Sequence, residues 1–323
     1  MSSEQPFILY HYPFSPYARR IVWYLQLRGI PYKQCMQPPI MPRPDVAKLG
    51  IKYRRIPLES FPASAPRLGA AENTEQRATE RLLEVLSVDG GVFAWAASLL
   101  PRELPIFKDP NFLKDRADFM GGRNMLAPKS PTAKPEALND IRNVFELLET
   151  TLLADGRDWV LKTEGPSLAD IEAVWPLHWL IGLPGALPSD LISKTQFPKV
   201  FSWIQRFDKT ANAARQKLGK VPTVSGEDAA RAIVQSSYFE SAVREVEQGE
   251  PLVKALGLKK GDNVVVFPLD SGSTHKDSGV ILSLDGKEIV FETKTDLQGS
   301  PVVRVHAPRH GFRIVREDQA SHL

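Results

Sequence analysis

The stretch Phe14-Ser15-Pro16-Tyr17-Ala18-Arg19-Arg20 holds the residues best placed to do chemistry. Cysteines at positions 15 and 18 would make it Cys-Pro-Tyr-Cys, a redox pair at the mouth of a helix. A serine hydroxyl cannot exchange disulfides, but two roles remain open to it. It can cap the helix, accepting a backbone N–H of the first turn. It can also join the free N–H groups of that turn in holding an anion. Tyr10 and Tyr12, just upstream, offer phenolic donors as a second choice, although strand residues flanking a turn commonly serve as packing groups.

These side chains need elements to hold them. Residues 7–10 (Phe-Ile-Leu-Tyr) read as a short buried strand, followed by a turn over Pro13–Pro16. From Tyr17 to Arg28, the residues Ile21, Tyr24, Leu25 and Arg28 follow helical spacing. Gly29 and Pro31 then stop the helix, as C-terminal capping requires. Residues 36–69 are rich in proline and basic side chains and read as irregular chain, with one strand around Ile51–Ile56. Helical signal resumes at Thr74 and continues to about Lys217. Leu138, Ile141, Phe145, Leu148 and Leu152 form one apolar stripe, and Val200, Trp203, Ile204 and Phe207 another; both read as core. Ser167-Leu168-Ala169-Asp170 is a capping box, and Pro176 predicts a kink in the helix it opens. Ser225-Gly226-Glu227-Asp228 starts a helix expected to run to about Gln248.

After Gly257 the period changes from 3.6 to 2. Five strand candidates follow, with a hairpin signal at Asp285-Gly286. They predict a small closed barrel. The 323 residues thus divide into 1–70, 71–222, a connecting helix over 223–257, and the β module over 258–318.

Hydrophobic residues make up 42% of the chain and charged residues 24%, values that suit buried cores and a solvated surface. With 41 basic and 38 acidic residues, the formal charge of +3 argues for neither nucleic acid nor membranes as partner. Nothing approaches a membrane span, and the N-terminus lacks the pattern of a secretory signal. The single cysteine, Cys35, excludes an intramolecular disulfide and any multi-thiolate metal site. A cytoplasmic location is the plain expectation. The ending Ser321-His322-Leu323 is a near relative of the peroxisomal Ser-Lys-Leu address and offers the alternative.

The residues PFSPYARRIVWYLQLRGIPY, KYRRIP and PSLADIEAVWPLHWL together resemble the glutathione transferase superfamily over roughly residues 7–215. Closest in character are fungal omega-like or Ser-type members carrying an added C-terminal β module. The resemblance implies a thioredoxin-like N-terminal domain, a helical domain and a homodimer. It implies glutathione as co-substrate and a hydrophobic electrophile bound between the domains. Ser15 falls where omega-like members place a catalytic cysteine, so it would donate a hydrogen bond to the thiolate of glutathione; the nucleophile would then belong to the tripeptide. Tyr17, Ile56 and Pro57 are the matching cofactor-binding positions. Ile56-Pro57 corresponds to the cis-proline whose preceding backbone pairs with the cysteinyl part of glutathione.

The pattern breaks after Pro57. Only Leu58–Asn73 separates it from the next helix, too short for the two strands and third helix the family places there. The N-terminal domain reads as truncated. Glu59-Ser60 reads as the exit of a helix whose body is absent, in preference to a relocated acidic-Ser clamp for the γ-glutamyl end. His306 and His310, with Arg304, Arg309, Arg313, Lys259 and Lys260, make the C-terminal module locally basic. Without thiolates or an aromatic ladder, neither zinc nor nucleic acid is expected there, and a solvated or docking face is. Two functions follow: a glutathione transferase-like enzyme, or a glutathione-independent binding protein, isomerase or dehydratase on the same fold.

Overall fold

The apolar run Phe7–His11 forms β1, α1 spans Pro16–Leu27 and β2 spans Tyr32–Met36. β1 and β2 pair in parallel from Phe7↔Tyr32 to His11↔Met36, a geometry that requires a crossover, which α1 supplies. A four-residue α2 (Pro44–Ala47) follows, and β3 (Leu58–Ser60) adds antiparallel to the other edge of β1. The sheet order is β2-β1-β3. All five residues of β1 are buried because both faces are covered. Phe7 and Leu9 pack against Leu25 and Ile21 of α1, while Ile8 and Tyr10 face Val46, Ala229 and Ala230. The computed structural model describes residues 7–60, 73–124, 130–238 and 245–322.

The strand expected around Ile51–Ile56 is not formed; the chain there is irregular and the strand lies at 58–60. The amides of Lys52 and Tyr53 are instead taken by the side chain of Asp277, so no ladder partner is needed. Glu59 and Ser60, read as a helix exit, are strand residues paired with Leu9 and Ile8. Residues 61–72, on which the truncation reading also bears, lie outside the described residues.

The helical part comprises α3 (Thr74–Val88), α4 (Val92–Ser98), α5 (Pro110–Phe119), α6 (Ala133–Leu147), α7 (Leu168–Ile181) and α8 (Pro198–Leu218). Both expected stripes lie in one core: Ile141, Phe145 and Leu148 with Val200, Trp203, Ile204 and Phe207. Asp170 organises it. Its carboxylate closes the capping box with Ser167 and also accepts the amide of Val160 and the indole N–H of Trp203 at 2.8 Å. A buried carboxylate with these donors is satisfied, and it ties α7 to α8. Pro176 lies inside α7.

Beyond α8, residues 222–224 bridge to Gln34 and cover the outer edge of β2. α9 (Gly226–Gln235) packs on α2, and its end at Gln235 corrects the expected run to Gln248. Ser236 turns to extended backbone, and a separate α10 (Pro251–Leu256) follows.

The last part is β4 (Asn263–Pro268), β5 (Asp277–Leu284), β6 (Glu288–Lys294), β7 (Val302–Pro308) and β8 (Phe312–Arg316). These five strands were expected, and Asp285 closes the β5–β6 turn by accepting the amides of Lys287 and Glu288. They do not close into a barrel. The order β7-β6-β5-β4-β8 is an open antiparallel sheet, because α10 covers its apolar face through Val253, with Val246 and Leu258 beside it. A sheet covered by a helix has no need to curl onto itself.

This sheet is fastened to residues 41–57 of the N-terminal part. The Lys48 carbonyl accepts the Asp296 amide at 3.0 Å, Arg55 donates to the Ser271 carbonyl at 2.9 Å, and Asp277 holds two amides as above.

Candidate functional site

Ser15 terminates the turn after β1 and is the N-cap of α1, with Oγ accepting from the Ala18 amide at 3.2 Å. Its own amide donates to the Tyr12 carbonyl. A hydroxyl has one proton to give and room for two acceptances. Capping uses an acceptance only, so the Ser15 proton remains free to be donated, and the two readings of this residue are compatible. Only 2% of Ser15 is exposed.

The helix carrying Ser15 is fixed on its far side by ionic and aromatic contacts. Arg20 pairs with Glu172 of α7 and lies 5.4 Å from the Trp175 ring. Arg19 donates to His178 Nδ1 at 3.2 Å, and His178 Nε2 in turn donates to Asp208 at 3.3 Å. Trp23 packs on Phe207 with ring centroids 5.0 Å apart. α1 therefore cannot shift without breaking contacts with both α7 and α8.

Tyr17, two residues beyond Ser15, is half-buried between Phe93 and Trp175, with centroids at 4.8 and 5.0 Å. Burial raises its phenol pKa, and the charges of Arg20 and Arg55 partly oppose that. Ile56 is buried, and the Ile56–Pro57 peptide is cis. Leu58, the residue after Pro57, pairs with Tyr10. Pro57 therefore lies at the end of β1 from which the chain runs to Ser15; Ile56 packs in the core with Ile8 and Tyr10, whereas Tyr17 packs against the helical core.

The second-choice donors fare differently. Tyr10 is 1% exposed, and its hydroxyl has no hydrogen-bond partner among the described residues. Burial drives its pKa far up, with the charges of Cys35 and Asp45 adding to the effect. Tyr12 packs at a tilt against Phe14, with centroids 4.8 Å apart, and Arg43 lies over its face. Cys35 does not replace the absent sulfur: burial pushes its thiol up to about 12, so no thiolate forms near neutrality.

Three further features beside the site depend on long-range packing. Glu59, opposite Leu9, has its carboxyl pushed up to about 7 by burial. Asp89 caps the end of α3 and accepts from His310 at 3.0 Å. Tyr53 packs on Phe312 at 5.7 Å. These pairings connect positions distant in the chain, and no local motif encodes them. His306 faces Glu288 at 3.1 Å, so the two histidines serve different carboxylates. Arg304, Arg309 and Lys260 of the expected basic face pair with Glu292, Glu250 and Glu245. Among the described residues, no group of histidine, cysteine and carboxylate side chains is arranged to hold a metal ion.

Two cavities stand apart from Ser15. One of about 710 Å³ lies in the helical part near Leu100, Pro101 and Lys134. The other, about 450 Å³, lies between residues 41–53 and Thr274–Lys276. Neither is lined by Ser15.

Residues 9–58 match the family described as glutathione S-transferase, N-terminal domain, and residues 95–216 match a domain of unknown function (DUF7962). A GST-like protein from Pseudomonas syringae shares the architecture at a TM-score of 0.69 and 20% identity, covering 97% of this chain and 100% of that one. The chain has a glutathione S-transferase-like fold. That GST-like protein spans the C-terminal sheet as well as the first two parts, so the sheet belongs to the shared architecture. Smaller glutathione S-transferases align over less of the chain. A family member from Pseudomonas fluorescens Pf-5 with two glutathione bound gives a TM-score of 0.45 at 16% identity, covering 66% of this chain and 94% of that one. Human glutathione S-transferase T1-1 gives 0.44 at 14%, covering 70% and 96%. No curated protein matches the sequence. Among the described residues, no helix is long and apolar enough to cross a membrane.

Proposed function

We propose that the protein is a glutathione transferase-like enzyme that presents the glutathione thiolate, at Ser15, to a hydrophobic electrophile. The carrying observation is the Ser15 hydroxyl, which caps α1 by accepting the Ala18 amide; this supports the reading because an acceptance leaves the hydroxyl proton available for donation. The segment that contains it matches the glutathione S-transferase N-terminal family. In the reaction, glutathione's thiol loses its proton to solvent and the thiolate accepts from Ser15 Oγ–H. The sulfur then forms a bond to an electrophilic carbon, and a leaving group such as chloride departs with the bonding pair. Ser15 stabilises the anion. Tyr17 and the backbone at Ile56 would flank the tripeptide, with Pro57 setting the course of the chain. The division into residues 1–70, 71–222, 223–257 and 258–318, the homodimer, the fungal omega-like affiliation and peroxisomal delivery through Ser321-His322-Leu323 belong to the same reading.

The test is a thermal shift with glutathione. At 100 times the dissociation constant, binding adds about 2.7 kcal/mol, and Ser15→Ala should abolish chloroarene conjugation. A second reading is supported by the 2% exposure of Ser15 and by the position of both cavities away from it: a glutathione-independent binding protein, isomerase or dehydratase. Absence of any shift at millimolar glutathione selects that alternative.

A further inference from the structure

Packed interiors leave few voids larger than a water molecule, yet the junction between the N-terminal part and the C-terminal sheet keeps an opening of about 450 Å³. Such a volume falls in the range of small-molecule sites, about 300–1,000 Å³. Its walls are held at a fixed spacing. On one side, Asp277 clasps the amides of Lys52 and Tyr53 at 2.5 and 3.2 Å. On the other, the Gly272 amide donates to the Phe119 carbonyl at 2.8 Å, and His275 lies 3.9 Å from Asp118. The space is therefore bounded by anchored backbone.

The lining has a consistent chemistry. Met41, Pro42, Val46, Ile51 and the ring of Tyr53 make an apolar body, and Lys52 and Lys276 stand at its border. Among the described residues neither ammonium is within ion-pair distance of a carboxylate; Lys276 lies over the Phe267 ring at 4.7 Å, and the Lys52 charge is felt by Asp277. Asp277 accepts the two amides, and Asp118 is already paired with Arg54. Arg43, 4% exposed, is part of the lining, with its guanidinium donating to the carbonyls of Pro38, Pro39 and Arg54. It adds positive potential without being free to pair. Two unpaired ammonium groups beside an apolar chamber complement one anionic head on a hydrocarbon body.

The geometry points to a binding site, separate from Ser15, for a medium-chain organic carboxylate, with the chain among Val46, Ile51 and Tyr53 and the head between Lys52 and Lys276. This site is independent of whether the protein uses glutathione.

The test is calorimetric titration of the full chain with sodium decanoate. The expected result is saturable binding at one site per chain, unaffected by saturating glutathione. Lys52→Glu with Lys276→Glu should weaken it at least tenfold, as should Ala47→Trp, which fills the opening from its exposed side. Decanamide, which lacks the charge, should bind at least tenfold more weakly. If the double charge reversal alters the thermal midpoint, the Lys52→Gln and Lys276→Gln pair takes its place, with a weakening of at least threefold expected. No binding at millimolar decanoate overturns the proposal. So does binding that is unchanged in the charge variants or in Ala47→Trp, which would put the ligand elsewhere, such as the helical cavity.

Discussion

The Asp277 carboxylate accepts the Lys52 amide at 2.5 Å across the junction between the C-terminal sheet and the chain leading to Ile56–Pro57. It also accepts the Tyr53 amide. One side chain from β5 thus supplies the backbone partners that this irregular segment does not find in a strand. The segment then carries Arg54, which reaches α5, and Arg55, which reaches Ser271. The position of the candidate glutathione-facing backbone therefore depends on a module outside the two-domain core.

The clasp has a pH signature. Burial pushes the Asp277 carboxyl up to about 6 despite the two amides. Between about pH 4 and 6 the folded chain holds a proton that the unfolded chain has released. This group's contribution is fully present below the unfolded value and is lost as pH rises through about 6, a change of roughly 2–3 kcal/mol. Asp277→Asn carries no such change. Urea unfolding should show the variant gaining about that much relative to the parent from pH 4 to 7. A gap constant with pH would return Asp277 to ordinary carboxylate behaviour.

Ser15 caps α1, and in the proposed reaction it also donates to the thiolate; the two roles separate by substitution. Ser15→Ala loses the cap to the Ala18 amide, about 0.5–2 kcal/mol of stability, and conjugation as well. Ser15→Thr keeps a hydroxyl at the N-cap. It should recover most of the stability and a measurable share of turnover. Full activity in Ser15→Ala would leave the residue as a cap alone.

Arg54 is the ionic centre of the contact with α5. Its side chain is 1% exposed, pairing with Asp115 at 2.7 Å and with the half-exposed Asp118. Asp115→Ala would strip the buried partner and leave a guanidinium only partly compensated, at a cost of about 3 kcal/mol. Asp115→Asn keeps an acceptor for the Met41 amide and should lose less. Equal unfolding free energies for the two variants would place the loss in the charge, which both remove, and not in the acceptor that Asn keeps.

Gly50 tests how closely the two parts meet. Its φ is +72°, and a Cβ added there would lie 1.9 Å from the Lys294 carbonyl oxygen. Gly50→Ala meets both a left-handed backbone penalty and a backbone clash, together about 2–4 kcal/mol. The thermal midpoint should fall clearly, whereas Gly286→Ala, with open space around it, should be nearly silent.

Local physics made much of the molecule legible from sequence. The turn of Ser15 into α1, the stop at Gly29, the Ser167–Asp170 box, both core stripes and the five C-terminal strands each arise from residues within a few positions of one another. Periodicity and capping act at that range, so they can be read there. What packs across the chain was decided only by tertiary structure. Whether five strands close or lie open depended on α10 taking the apolar face, and whether residues 51–56 formed a strand depended on Asp277 reaching their amides first. The raised carboxyls of Glu59 and Asp277 follow from burial, a property of the assembled fold that no neighbouring residue announces.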